Sequence, residues 1–158
     1  MKTAGIHELK QELQAITHAQ LVEMCLRLAR FKKENKELLT YLLFEAHDLE
    51  AYITAVKAHI DEEFLTVPVN SLYFMKKSLR KVLKAVNKYI RYTGSKQVET
   101  ELLIYFCQKI KDTGVAIQSS TVLHNLYKQQ FSKAEKAIAS QHEDLQYDYK
   151  RALKQAIL

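Results

Sequence analysis

The chain has little of what breaks helices. Across 158 residues there are three glycines (Gly5, Gly94 and Gly114) and a single proline, Pro68. Sandwiches, barrels and α/β folds need many tight turns and draw on both residues, so their scarcity points to long helices joined by few turns. Tryptophan is absent, and the two cysteines, Cys25 and Cys107, lie far apart. A disulfide scaffold needs more cysteines and a zinc or redox motif needs closer pairs, so both read as small buried hydrophobes. No apolar run approaches the ~20 residues of a membrane span. The longest, Leu38–Phe44, is interrupted by Thr40 and stopped by Glu45. Met1–Lys2–Thr3 leads into a polar amphipathic segment rather than a signal-peptide core, which predicts a cytoplasmic protein. With its glycines isolated, the chain has no phosphate-cradling loop, and it has no G-x-S-x-G elbow for a nucleophile. The expectation is a protein without catalytic residues, cofactor or metal.

What is present is helical periodicity. Hydrophobic residues make up 47% of the chain and charged residues 27%, an ordinary globular balance, and the length suits one all-helical domain over residues 1–158. The pattern predicts an all-α fold of seven or eight helices, paired as antiparallel hairpins into a bundle or a short α-α superhelix. The first helix covers 6–15, with Ile6, Leu9 and Leu13 at helical spacing. Thr17 and Gln20 form a capping box that opens a second, 18–31. Its apolar arc is wide enough to predict burial on more than one side. A third starts at Asn35 and runs to Ala46, unless it continues the second without a break. A fourth spans Asp48–Leu65 and buries Leu49, Ile53, Val56, Ile60 and Phe64. The fifth, 71–92, ends at Gly94, and Ser95 caps a sixth that reaches Gly114. A seventh begins near Ser119 or Ser120. Ser140 and Glu143 make a second capping box for an eighth, which buries Leu145, Tyr149, Leu153 and Ala156. Shifting Phe74–Val86 by 52 residues onto Leu126–Ile138 gives four identities, near chance for two Lys/Ala-rich helices, so an internal repeat stays open.

Charge is unevenly placed. Between Leu65 and Val98 there are eight bases and no acid, whereas the whole chain carries 24 bases and 18 acids. On the fifth helix Lys77, Arg80, Lys81, Lys84, Lys88 and Arg91 share an arc of roughly 100°, away from the apolar stripe. Tyr73 and Tyr92 lie in or beside that arc. A line of cations with flanking aromatics suits a phosphate backbone with stacked bases. The competing reading is a solvated face neutralised within the fold, Asp61–Glu63 meeting Lys76, Lys77 and Arg80, and Asp48 and Glu50 serving the far end. Two His-x-x-Glu pairs, His47–Glu50 and His59–Glu62, face directions about 120° apart on one helix and so do not converge on a metal.

The N-terminal stretch also resembles known patterns. Leu9-Lys10-x-x-Leu13 in a first helix, Gln20-Leu21-x-Glu23 opening a second, and the turn Lys32–Lys33–Glu34 resemble the N-termini of an uncharacterised family of small all-helical bacterial proteins. The likeness covers about 40 residues and implies a bacterial, all-helical protein with no assigned activity. Glu8-Leu9-Lys10-x-x-Leu13 with Leu21-Val22-Glu23 and Arg27-Leu28 is similar to the SAP helix-linker-helix, which binds DNA. Ala15-Ile16-Thr17-His18 stands where that motif has a glycine and basic residues. Taken together, the sequence predicts a helical interaction domain with a protein partner. The alternative is a nucleic-acid-binding protein that uses the basic helix.

Overall fold

The computed structural model describes residues 1–158. Every regular element is helical and there are no strands. Eight α-helices follow in order: α1 Ile6–Ala15, α2 His18–Phe31, α3 Lys33–Thr40, α4 Leu49–Leu65, α5 Leu72–Thr93, α6 Lys96–Asp112, α7 Thr121–Ala139 and α8 Glu143–Gln155. A π-helical turn, Tyr41–Glu45, follows α3, and a short 3₁₀ turn, Ile117–Ser119, precedes α7. The chain gathers into two compact units, Met1–Phe44 and Glu45–Leu158.

Local chemistry explains most boundaries. Thr17 caps α2 reciprocally with Gln20, as the capping box requires. Asp48, Ser95 and Ser120 accept the free N–H groups of Ala51, Val98 and Leu123 at the starts of α4, α6 and α7. Gly94 and Gly114 take φ of 61° and 67°, where a side chain is strained, and each follows the end of a helix.

Two boundaries differ from the sequence expectation. Lys32, extended at φ −141° and ψ 140°, separates α2 from α3, so residues 18–46 are not one helix. Asn35 lies inside α3 rather than capping it, and its amide donates back to the Leu28 carbonyl at 2.9 Å. Ser140 does not start α8. Its backbone stays helical as the end of α7, whereas an N-cap must be extended, and that conformation falls on His142, whose Nδ1 accepts from the Asp144 N–H.

The second unit is built around α6, which packs against α4, α5, α7 and α8. That position explains its composition. Val98, Leu102, Leu103, Ile104, Phe106, Cys107 and Ile110 are buried around nearly its whole circumference, as a central helix demands. The outer helices contribute single stripes: Ile53, Val56 and Ile60 from α4, Met75, Leu79, Val82 and Val86 from α5, and Ala134, Ala137 and Ile138 from α7. The helices therefore close around a shared centre as a bundle. From α8 only Leu153, with Ala156 just beyond its end, is buried; Leu145, expected inside, is exposed.

The first unit has no such centre. From Ile6 to Thr40 no residue is buried, and Tyr41 is the unit's one buried side chain. On α2 only Leu21, Cys25 and Ala29 are half-buried, which corrects the expected burial of that helix on several sides. Cys107 is fully buried, whereas Cys25 is only half-buried.

Candidate functional site

Helix α5 carries the basic face. Its stripe Met75–Leu79–Val82–Val86 is buried against the bundle and fixes the helix's rotation, so the cations must turn outward. Lys77, Arg80, Lys81, Lys84 and Arg91 lie on that outward side, and Lys88 is half-buried. Lys77, Arg80, Lys84 and Arg91 make no ion pair. Lys81 does, its Nζ lying 2.9 Å from the Glu63 carboxylate. Lys88 stands over the rings of Tyr89 and Tyr92, at 5.1 and 6.0 Å from their centroids. At the other end of the helix Tyr73 is exposed, packs edge-on against Phe74, and lies under Lys76. Arg80, Lys84 and Arg91 line one shallow groove with Asn87, Ile90 and Glu99.

Of the acids expected to meet this face, Glu63 does so, but at Lys81 rather than at Lys76, Lys77 or Arg80. Asp61 turns instead to α6, where Lys109 lies at 3.0 Å and the Tyr105 hydroxyl donates at 2.7 Å. At the far end Asp48 is used as the α4 cap, and Glu50 accepts from Gln97 at 2.7 Å, so neither neutralises α5. The run Asp61–Glu62–Glu63 sits at the unfavourable C-terminal end of α4 and gains from these cations on neighbouring helices. His59 and Glu62 meet at 3.8 Å within α4, while His47 lies in the turn before the helix, and no three His, Cys, Asp or Glu side chains converge.

A second polar cluster was not legible in the sequence. Lys57 on α4 pairs with Glu101 on α6 at 2.9 Å, and the Tyr149 hydroxyl on α8 donates to the same carboxylate at 3.2 Å. These side chains and Tyr105 line a cleft of about 440 Å³ that also takes in Asp148 and Gln155. Burial, and then the neighbouring carboxylates, push the Tyr105 and Tyr149 hydroxyls up to about 12. Both stay protonated at neutral pH and serve as hydrogen-bond donors rather than bases. Lys57 and Glu101 neutralise each other here, which makes the cluster a tie between three helices. The sequence signal was faint, because Lys57 and Glu101 look like ordinary surface charges until α4 and α6 are brought together.

A concavity of about 570 Å³ between α7 and α8 has an apolar floor of Phe131, Ile138, Leu153 and Ile157 and a charged lip of Lys150, Arg151, Lys154 and Glu135.

Most of the exposed large apolar side chains belong to the first unit. Ile6, Leu9 and Leu13 on α1, Val22, Met24, Leu26, Leu28 and Phe31 on α2, and Leu42, Leu43 and Phe44 in the π-helical turn are all exposed. A typical soluble monomer shows no contiguous apolar patch beyond ~300–600 Å², and larger ones mark places where another surface docks.

These features define a class, an all-helical protein with an apolar, uncovered N-terminal unit and a cationic helix face. The chain matches no family model, no curated protein and no solved structure.

Proposed function

We propose that this protein is a non-enzymatic interaction domain whose N-terminal unit docks another protein chain. The observation that carries this reading is that α1 and α2 expose large apolar side chains and that α1–α3 bury none. A segment of that composition gains stability only when its stripes are covered, at roughly 25 cal/mol per Å² removed from water. The clefts of the second unit offer little for an enzymatic role, since the central charges of one are paired and the floor of the other is apolar. The test is affinity capture by wild type and by Leu28→Lys/Phe31→Lys, with and without nuclease. A protein held by wild type, insensitive to nuclease and released by the double variant, is the expected result. Identical capture by both would refute the reading.

A second reading, nucleic-acid binding through α5, is favoured by one observation. Lys77, Arg80, Lys84 and Arg91 face outward without acidic partners along the helix, with the exposed Tyr73 ring at its start. Binding would then be salt-dependent and blind to sequence, because such a face touches phosphates rather than base edges.

A further inference from the structure

We infer that the chain covering the N-terminal apolar stripes is a second copy of this protein, with α1 of each copy lying antiparallel along α2 of the other. This rests on the interaction reading above and names its partner.

The register comes first. On α1 the exposed stripe is Ile6–Leu9–Leu13, spaced three then four; on α2 it is Met24–Leu28–Phe31, spaced four then three. Read backwards, the second stripe has the spacing of the first, so antiparallel helices bring Ile6 against Phe31, Leu9 against Leu28 and Leu13 against Met24. Within one chain this pairing is not made, for all six side chains are exposed.

Charge supports the same arrangement. Beside its stripe α1 carries Glu8 and Glu12; on the corresponding flank α2 carries Arg27 and Arg30 together with Glu23, one turn before Arg27. Antiparallel helices meet flank to corresponding flank, so Glu8 of one copy comes between Arg27 and Arg30 of the other, whereas Glu12 lies between Arg27 and Glu23; the two-fold axis makes the Glu8 contact twice. Lys10 falls on the opposite flank, away from the arginines. A partner with a strongly one-signed surface would not fit a rim that carries both signs.

The area is sufficient. The six stripe residues are between 44% and 83% exposed. At roughly 150–250 Å² for a large side chain they offer on the order of 700 Å² per copy before flanking atoms are counted. A standard stable interface buries ~800 Å² per partner. Helix length adds a need, because α1 has 10 residues and α2 has 14, and helices shorter than ~12–15 residues are marginal in water unless packed.

The test is sedimentation velocity of the full chain over a concentration series, with circular dichroism to verify folding. Wild type is expected to be a dimer and Leu28→Lys a folded monomer. Arg30→Glu should weaken the dimer about tenfold, since its two contacts with Glu8 turn from attraction to repulsion. Glu8→Arg/Arg30→Glu should restore it, a rescue that a folding defect would not give. A wild-type dimer that persists in Leu28→Lys overturns the proposal, because the interface then lies elsewhere. A wild type that stays monomeric overturns it as well. In that case the dye 8-anilinonaphthalene-1-sulfonate separates the two readings. Dye binding that disappears in Leu28→Lys leaves the face free for a different protein, whereas no dye binding removes the interaction reading too.

Discussion

The Tyr105 hydroxyl on α6 donates to both carboxylate oxygens of Asp61 on α4, at 2.7 and 2.8 Å, and so clamps the acidic end of α4 to the central helix. Burial acts to raise the Asp61 pKa, but the hydrogen bonds from Tyr105 and Lys109 and the Lys109 charge outweigh it and hold the carboxyl below its ordinary value of 3.8. A carboxylate depressed in the folded state stabilises it above the unfolded pKa and loses that contribution as pH falls through the folded one. Asp61 is 45% exposed, so solvent screening holds the effect to about 1 kcal/mol or less. Asp61→Asn should be slightly less stable than wild type at neutral pH, and the gap should close in acid. Urea titrations at neutral pH and well below the carboxylate range check this; a gap that persists in acid would point to impaired packing instead.

Alkali should act through three tyrosines. Tyr105, Tyr127 and Tyr149 are each pushed up to about 12, first by burial, with Asp61 and Glu101 adding to it at Tyr105 and Tyr149. A phenol whose pKa is raised on folding stabilises the fold fully below its unfolded value of about 10 and loses that contribution as pH climbs through the folded value. Spectrophotometric titration of the native chain should show late ionisation that merges with the rest in denaturant. Tyr105→Phe should remove one late step, and superimposable native and denatured curves would contradict the burial.

Gln130 on α7 is 2% exposed and its Oε1 has no hydrogen-bond partner. An unsatisfied buried acceptor costs roughly 1–3 kcal/mol, and an apolar group of similar shape removes that cost. Gln130→Met should therefore raise the melting temperature by a few degrees, at about 1 kcal/mol. A lowered melting temperature would mean that the amide is serving an interaction of its own.

The cations of α5 should fall into two groups. Lys77, Arg80, Lys84 and Arg91 changed together to Gln should leave thermal stability nearly untouched, because exposed charges contribute little. Lys81→Gln instead deprives Glu63 of its partner. If α5 follows a phosphate backbone, the quadruple change should weaken binding to all oligonucleotides alike and flatten the salt slope by about one unit for each phosphate no longer neutralised. Fluorescence anisotropy at low salt decides the matter, and no binding by wild type ends the nucleic-acid reading.

Much of the architecture was written in local chemistry. α1 and α2 have the bounds expected from their spacing and the Thr17–Gln20 box, and the ends of α5 and α6 fall at Gly94 and Gly114. These signals involve residues within four positions of each other, so no distant partner is needed to interpret them. Asn35 and Ser140 misled for the complementary reason. Each is a good capping residue by type, but a cap also needs an extended backbone at that position, and that conformation falls on Lys32 and His142 instead.

The sequence by itself determined that the chain is helical, where most helices begin and end, and that the cations of α5 form one face opposite an apolar stripe. Helical periodicity and capping fix these, and both are properties of a single segment. Only the tertiary structure decided which stripes are covered and which charges are paired. Ile6–Leu9–Leu13 and Met75–Leu79–Val82 look alike as patterns, yet the first is exposed and the second buried. The sequence could not separate Lys81, which has Glu63, from Lys84, which has no acid. Burial and pairing depend on what lies across a gap between elements distant in sequence, and a period read along one helix carries no information about the far side.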